Sequence, residues 1–166
     1  SGRRLHHYPT RFKIESGGLF EDVPRDRHGT AIIADPRNDE NLIISSLQAA
    51  FLSFHNNAVD LVARHDRHET GHDVFRQARR LTTWHYQWMI LHEFVPAFTG
   101  AGMVNDVLAN GCRFYQPENG HAFIPVEFQM AYRFGHSMVR PSYRANFTGS
   151  AGGAFFAMLF ESQNGT

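Results

Sequence analysis

The sequence predicts a mainly α fold with long connecting loops. Three stretches carry apolar residues at helical spacing: residues 35–65, 73–97 and 125–141. Proline or capping residues stand at their ends, and glycine-containing turns separate them. Residues 1–34 lack a sustained helical period and are predicted to be an extended arm and loops. Residues 35–166 are predicted to be a helical core, and to be an incomplete domain.

The first predicted helix begins at Asp35, which suits an N-cap, and Pro36, which suits the first turn. Arg37 and Glu40 are three residues apart, so they share a face if this turn is helical. One interpretation is a surface ion pair with an acid that complements the helix dipole. The other is a charged pair directed into a site. The apolar positions that follow are spaced by one, three or four residues: Ile43, Leu47, Ala50, Phe51, Phe54, Ala58, Leu61 and Val62.

The second predicted helix covers residues 73–97, and its second half is apolar nearly all round. A helix of this kind is usually buried on several sides. The stretch Trp88–Val95 is therefore predicted to be buried, and His85 and His92 to be core histidines with hydrogen-bond partners. Thr70 and Asp73 resemble a capping box at the helix start.

The loop between these helices contains His65, His68 and His72 among charged residues and a glycine. Histidines with carboxylates at short spacing can bind zinc. A solvated loop is the favoured interpretation, because the possible ligands alternate with other charged residues in a turn.

The third predicted helix, in residues 125–141, places His136 beside Gly135 and between Arg133 and Arg140. A histidine can bind iron through one ring nitrogen. A neighbouring glycine lets a flat macrocycle approach the backbone, and arginines can pair with carboxylates such as haem propionates. A lone helical histidine is more often a core or surface residue than a ligand, so this stretch alone leaves both interpretations open.

Composition excludes several classes of partner. Sixteen basic and sixteen acidic residues balance, which argues against a nucleic acid or an anionic membrane as the main partner. No apolar run is long enough to span a bilayer. The single cysteine, Cys112, precludes a disulfide within the chain. No signal-like stretch is present, and the compartment stays open, a secreted or periplasmic one included. Eleven histidines permit metal or haem chemistry, and an aromatic content of 13% can line an apolar pocket.

Two stretches match one pattern when they are taken together. The first is Asp35-Pro-Arg-Asn-Asp-Glu-Asn41, followed by a helix with Phe54-His-Asn56, and the second is Arg133-Phe-Gly-His-Ser137. Ala78-Arg-Arg80 and Trp84–Trp88 fall where a further core helix is expected. In this order and about a hundred residues apart, the stretches resemble the animal-type haem peroxidases of the peroxidase–cyclooxygenase superfamily, in particular bacterial-type members.

The resemblance implies a haem b site. His136 would be the proximal ligand of the haem iron, with Gly135 beside it. Arg37 would be the distal-side catalytic arginine, and Arg133 would contact a propionate. Glu40 matches a carboxylate that esterifies a haem methyl group in some members, so an ester through Glu40 is left open.

The resemblance also implies the reaction. Hydrogen peroxide would oxidise a small donor such as a halide, thiocyanate or a phenol. Arg133 stands where the fatty-acid dioxygenase branch carries a radical tyrosine, and Tyr132 is one residue away, which favours a peroxidase. Asn41 stands where one member has a sulfonium-forming methionine, so that link is not expected. A catalytically inactive binding or structural module and a fatty-acid dioxygenase are the alternatives.

Some parts of the family pattern are expected outside this chain. The distal histidine and a calcium loop would lie upstream, and nothing in residues 1–34 supplies them. The asparagine that accepts the second N–H of the proximal histidine would lie beyond residue 166. The expected partners are therefore the remaining parts of the same peroxidase, in cis or as other chains.

Overall fold

The computed structural model of the chain is mainly helical, in agreement with the predicted fold class. The described residues form two compact units, one ending at Gln87 and the other beginning at Trp88. The structure describes residues 10–15, 21–65, 70–115, 123–138, 140–143 and 154–155.

The first predicted helix is divided into two. A 3₁₀ helix covers Pro36–Asp39, and α1 covers Leu42–His65. Asp35 caps the 3₁₀ helix by accepting a hydrogen bond of 3.0 Å from the amide two residues later. Asn41 then accepts one of 3.0 Å from the amide three residues later. Because Asn41 is itself a good capping residue, it ends the first turn and begins a new helix.

The second helix, α2, covers Gly71–Met89, and its predicted capping is confirmed. The Thr70 hydroxyl donates to the Asp73 carboxylate at 2.6 Å and accepts from the Asp73 amide at 3.3 Å. Small aliphatic side chains fill the contact between α1 and α2, and Leu81 packs against them. The buried members are Ala58, Val59, Val62, Val74 and Ala78.

Residues 10–15 lie along α1. The side-chain amide of Asn56 donates to the Phe12 carbonyl through Nδ2 and accepts from the Phe12 N–H through Oδ1, both at 2.9 Å. The Phe12 ring lies 4.6 Å from the His55 ring, and the Phe75 ring lies 5.2 Å from it on another side. His55 is 1% exposed, and neither of its ring nitrogens has a hydrogen-bond partner among the described residues.

Burial lowers the pKa of His55 from its ordinary value of 6.5, while the Asn56 side chain acts in the opposite direction. Near and below pH 6.5 the unfolded chain therefore binds more protons at this position than the folded chain does. We expect the free energy of unfolding to fall as the pH drops from about 7.5 to about 5, measured by urea denaturation. We expect His55→Leu to flatten this slope.

The carboxylates whose pKa values are lowered change the free energy of unfolding only at more acidic pH. Hydrogen bonds and charge from Arg37 hold the pKa of Asp35 at about 2. The contribution of Asp35 to stability is therefore lost as the pH falls below 3.8, the ordinary pKa of the carboxyl group.

The matched control for His55→Leu is His65→Leu, which replaces an exposed histidine at the end of α1. An unchanged slope in His55→Leu would contradict the assignment to His55.

The second unit is built from short elements. A π-helical turn continues directly from α2, and a two-stranded antiparallel sheet pairs Ser142 with Phe155 and Tyr143 with Ala154. In chain order the elements are the π turn Ile90–Phe94, α3 Val95–Thr99, α4 Ala101–Asn110, α5 Val126–Tyr132, a 3₁₀ helix Arg133–Met138, β1 Ser142–Tyr143 and β2 Ala154–Phe155.

The π turn interrupts the helix predicted over residues 73–97. The Val95 N–H donates to the Ile90 carbonyl, five residues back. Pro96 has no N–H to donate and stands in the first turn of α3, where that loss costs least. Gly100, with φ of 84°, ends α3 three residues beyond the predicted end of the helix.

The predicted burial of the second half of this helix is wrong. Trp88 is 55% exposed and Phe94 is 56% exposed. His85 and His92 are exposed as well. The His85 Nδ1 atom lies 2.8 Å from the Leu81 carbonyl oxygen, and the His92 ring stacks on Trp88 with centroids 4.9 Å apart. An apolar helix surface indicates what can be buried, but burial also requires a partner surface, and the contacts among the described residues leave more than half of Trp88 and of Phe94 exposed.

Two further predictions concern metals and membranes. The histidine-rich loop lies largely in residues 66–69, outside the described residues. Within the described ranges, no group of three or more histidine, cysteine or acidic side chains converges on a common point. The helices in these ranges also include none with the length and apolarity needed to cross a bilayer.

Candidate functional site

Arg37 and Glu40 lie one turn apart at the 3₁₀ helix before α1. A 3₁₀ helix has three residues per turn, so residues three apart lie above one another. Glu40 ends this helix in a helical conformation, and its N–H donates to the Arg37 carbonyl at 3.4 Å. The turn is therefore helical, as the shared face requires, and both side chains are exposed.

The Arg37 guanidinium forms an ion pair with Asp35 instead of Glu40. Its Nε lies 2.9 Å from Asp35 Oδ1, and its Nη2 lies 2.6 Å from Oδ2. Asp35 raises the pKa of Arg37, so the guanidinium stays charged. The side chain is 78% exposed, so solvent screens this ion pair and leaves it little effect on stability. Among the described residues Nη1 has no hydrogen-bond partner, which leaves it able to donate to a ligand.

His136 lies on the second 3₁₀ helix, Arg133–Met138, which follows α5. The sequence predicted α-helix through residue 141, and the tighter helix begins where α5 ends at Tyr132. Glycine in this segment weakens the preference for α-helix. Arg133 and His136 are separated by one 3₁₀ turn and so share a face. Both are exposed.

The described residues leave the surface beside Gly135 uncrowded. Apart from its chain neighbours and the backbone of its own helix, a Cβ atom added at Gly135 would meet none of their atoms within 4 Å. The Ser137 hydroxyl donates to the Phe134 carbonyl at 2.8 Å, and the Phe134 ring lies 5.1 Å from Phe98 of α3. The 3₁₀ helix therefore contacts α3 through Phe134, while His136 and Gly135 are exposed.

The side chains on the second 3₁₀ helix are of the kinds that can hold a haem. An exposed imidazole beside an uncrowded glycine can accept an iron on a flat macrocycle. A guanidinium one turn away can pair with a propionate. The structure brings Arg37 together with Glu40 in the first unit, and Arg133 together with Gly135 and His136 in the second.

Sequence reasoning missed two structural contributors. Asn56, within the quoted Phe54-His-Asn56 stretch, fixes residues 10–15 on α1. Arg25 forms an ion pair with Asp39, the residue that precedes Glu40. Asp39 lies inside the stretch Asp35–Asn41 that carried the resemblance, so the sequence did point to this residue. Arg25 gave no such signal, because it lies fourteen positions before Asp39 in the chain, across a turn-rich segment.

A family model described as Animal haem peroxidase matches residues 13–154. The chain belongs to the animal haem peroxidase family. The resemblance seen in the two short stretches is thereby confirmed over most of the chain. Both 3₁₀ helices of this peroxidase-family chain lie inside the matched range.

Three relatives show the extent of the similarity. Dual oxidase of Drosophila melanogaster is 29% identical over 116 residues, which are 66% of this chain and 7% of that protein. The human protein named Probable oxidoreductase PXDNL is 25% identical over 137 residues, 81% of this chain and 9% of that protein. Eosinophil peroxidase of Mus musculus is 24% identical over 113 residues, 66% of this chain and 15% of that protein. The chain thus spans a small part of each relative.

Proposed function

We propose that this chain supplies haem-binding and catalytic residues of a peroxidase that uses hydrogen peroxide to oxidise a small reducing donor. The donor class is a halide, thiocyanate or a phenol. The observation that carries the proposal is the family match over residues 13–154, which contains both exposed 3₁₀ helices. Bound haem b would supply the redox chemistry.

His136 would bind the iron through one ring nitrogen. Its exposure beside Gly135, where an added Cβ meets no other side chain of the described residues within 4 Å, supports this role. Arg133, one 3₁₀ turn earlier, would pair with a propionate, because a guanidinium forms bidentate bonds with a carboxylate. These two contacts would fix the orientation of the haem relative to this helix.

Arg37 would donate a hydrogen bond to a peroxide oxygen and stabilise the negative charge that develops as the O–O bond breaks. Asp35 supports this role by holding the guanidinium in a defined orientation while Nη1 keeps its donors. The base that moves the peroxide proton is proposed to come from remaining parts of the same peroxidase, in cis or as other chains. A calcium site is proposed for those parts.

Glu40 is proposed to lie at the haem edge, since it shares a face with Arg37. An ester between Glu40 and a haem methyl group would resist extraction into acidified organic solvent. We expect Glu40→Gln to retain haem through His136 and to release all of it on extraction, because an amide cannot form that ester. Mass spectrometry of the extracted haem and of the peptides measures the linkage. Freely extractable, unmodified haem from the unsubstituted chain would exclude the ester.

The test of the whole proposal is titration of the complete peroxidase, which contains this chain and the remaining parts, with ferric haem, followed by peroxide-dependent oxidation of a phenol. A histidine-type haem spectrum with peroxide turnover would support the peroxidase. Bound haem without turnover would favour the inactive binding module. Oxygenation of a fatty acid in the presence of dioxygen would favour the dioxygenase.

A further inference from the structure

We propose that Arg25 is a positioning residue that holds the turn carrying Arg37 and Glu40. The inference rests on the proposed function, because it assigns Arg25 an effect on catalysis through those two side chains. Arg25 is neither a haem ligand nor a group that contacts peroxide in this proposal.

The Arg25 guanidinium is bonded at all three nitrogens. Nη1 and Nη2 each donate to one Asp39 carboxylate oxygen at 2.8 Å, which forms a bidentate fork. Nε donates to Asp22 Oδ2 at 2.6 Å, and Nη2 also donates to Asp22 Oδ1 at 3.2 Å. Nη1 donates in addition to the Gly29 carbonyl at 3.0 Å. The guanidinium therefore has one defined orientation.

The segment that carries Arg25 is itself closed by hydrogen bonds. The Asp26 carboxylate accepts from the amides of His28 and Thr30, at 2.8 and 3.0 Å. The Asp26 N–H donates to the Thr30 carbonyl at 2.9 Å. Such a turn restricts the backbone, so the backbone that carries Arg25 has a defined conformation.

Asp39 is the last residue of the 3₁₀ helix, two residues after Arg37 and one before Glu40. The side chains of Arg25 and Asp39 are each 24% exposed, compared with 78% for Arg37. A partly buried bidentate pair is screened less by solvent than an exposed pair. The fork therefore fixes the end of the turn more firmly than the Arg37–Asp35 pair fixes its beginning.

This arrangement matters for catalysis because small displacements of a reacting group cost rate. A shift of about 1 Å caused by a distant mutation can lower a rate by about a hundredfold. Removing Arg25 leaves the Asp39 carboxylate without its fork and frees the turn. Lysine can restore the charge but not the two parallel bonds, so it should restore only part of the positioning.

A double-mutant cycle separates positioning from general destabilisation. We expect Arg25→Met to lower the rate constant for reaction of the haem-loaded protein with peroxide by about ten- to a hundredfold, and Arg25→Lys to lower it less. In the Arg37→Gln background we expect Arg25→Met to add less than about a twofold loss, because its effect passes through Arg37. Equal losses in both backgrounds would overturn the proposal. The control is Arg76→Met, which breaks the exposed ion pair with Asp73 on α2.

Hydrogen exchange of the chain itself supplies a readout that needs no haem. We expect Arg25→Met to speed amide exchange at residues 37–41 while α1 and α2 keep their protection. Unchanged exchange at 37–41, or equal acceleration throughout α1 and α2, would overturn the proposal. Exchange that rises locally while Arg37→Gln leaves the peroxide rate unaltered would uphold Arg25 as the residue that holds the turn and remove Arg37 from the proposed function.

Discussion

His136→Ala is expected to weaken haem binding by more than about a hundredfold, which exceeds the loss typical for a residue that only orients a metal ligand. The imidazole is exposed and makes no hydrogen bond within the described part of the chain, so its removal should leave stability within about 0.5 kcal/mol. Haem titration followed by absorbance measures the affinity, and circular dichroism checks that helical content is retained.

The control for this substitution is His65→Ala, which removes an exposed histidine from the end of α1. Added imidazole should restore part of the histidine-type spectrum to His136→Ala, because it can enter the vacated position on the iron. Retention of haem with an unchanged histidine-ligand spectrum would rule His136 out as the ligand.

Arg37→Gln is expected to slow the reaction with peroxide by about a hundred- to a thousandfold while haem stays bound through His136. Loss of one preorganised donor to developing negative charge has an effect of this size in other enzymes. The measurement is stopped-flow mixing of haem-loaded protein with peroxide. Glutamine keeps a polar group but removes the positive charge, so the rate reports the contribution of the guanidinium.

Arg37→Lys should restore only part of the rate, because an ammonium group lacks the planar fork. Arg79→Gln makes the same chemical change at an exposed position of α2 and should leave the rate unchanged. The competing hypothesis is that Arg37 serves only its surface pair with Asp35. In that case Arg37→Gln would leave the free energy of unfolding nearly unchanged and the rate unaltered.

Local chemistry allowed much of the helical structure to be predicted from sequence. The capping by Thr70 and the break at Gly100 depend on residues within one turn of each position. The division of the first helix depends on competition between two good caps, Asp35 and Asn41, and a periodic pattern does not decide such a competition. The π turn before Pro96 was not predicted for a related reason. Proline removes one N–H donor, but it does not determine which N–H groups bond to the carbonyls that precede it.

The candidate site was predicted at the level of residues but not of their geometry. Arg37, Glu40, Arg133, Gly135 and His136 could be named from two short stretches. The exposure of these side chains could not be predicted from the sequence. The partner of Arg37 could not be predicted either, because Asp35, Asp39 and Glu40 are all within reach of its flexible side chain. The Arg25–Asp39 fork joins two segments that share no periodic pattern, so only a folded backbone reveals it.

The use of 3₁₀ helix at both stretches has a consequence for insertions and deletions. Three residues complete one turn and advance about 6 Å, so Arg133 points the same way as His136. One added or deleted residue between them would rotate the two side chains about 120° apart. The same holds for Arg37 and Glu40. Each pair can therefore accommodate changes of residue type at its two intervening positions far more readily than a change in their number.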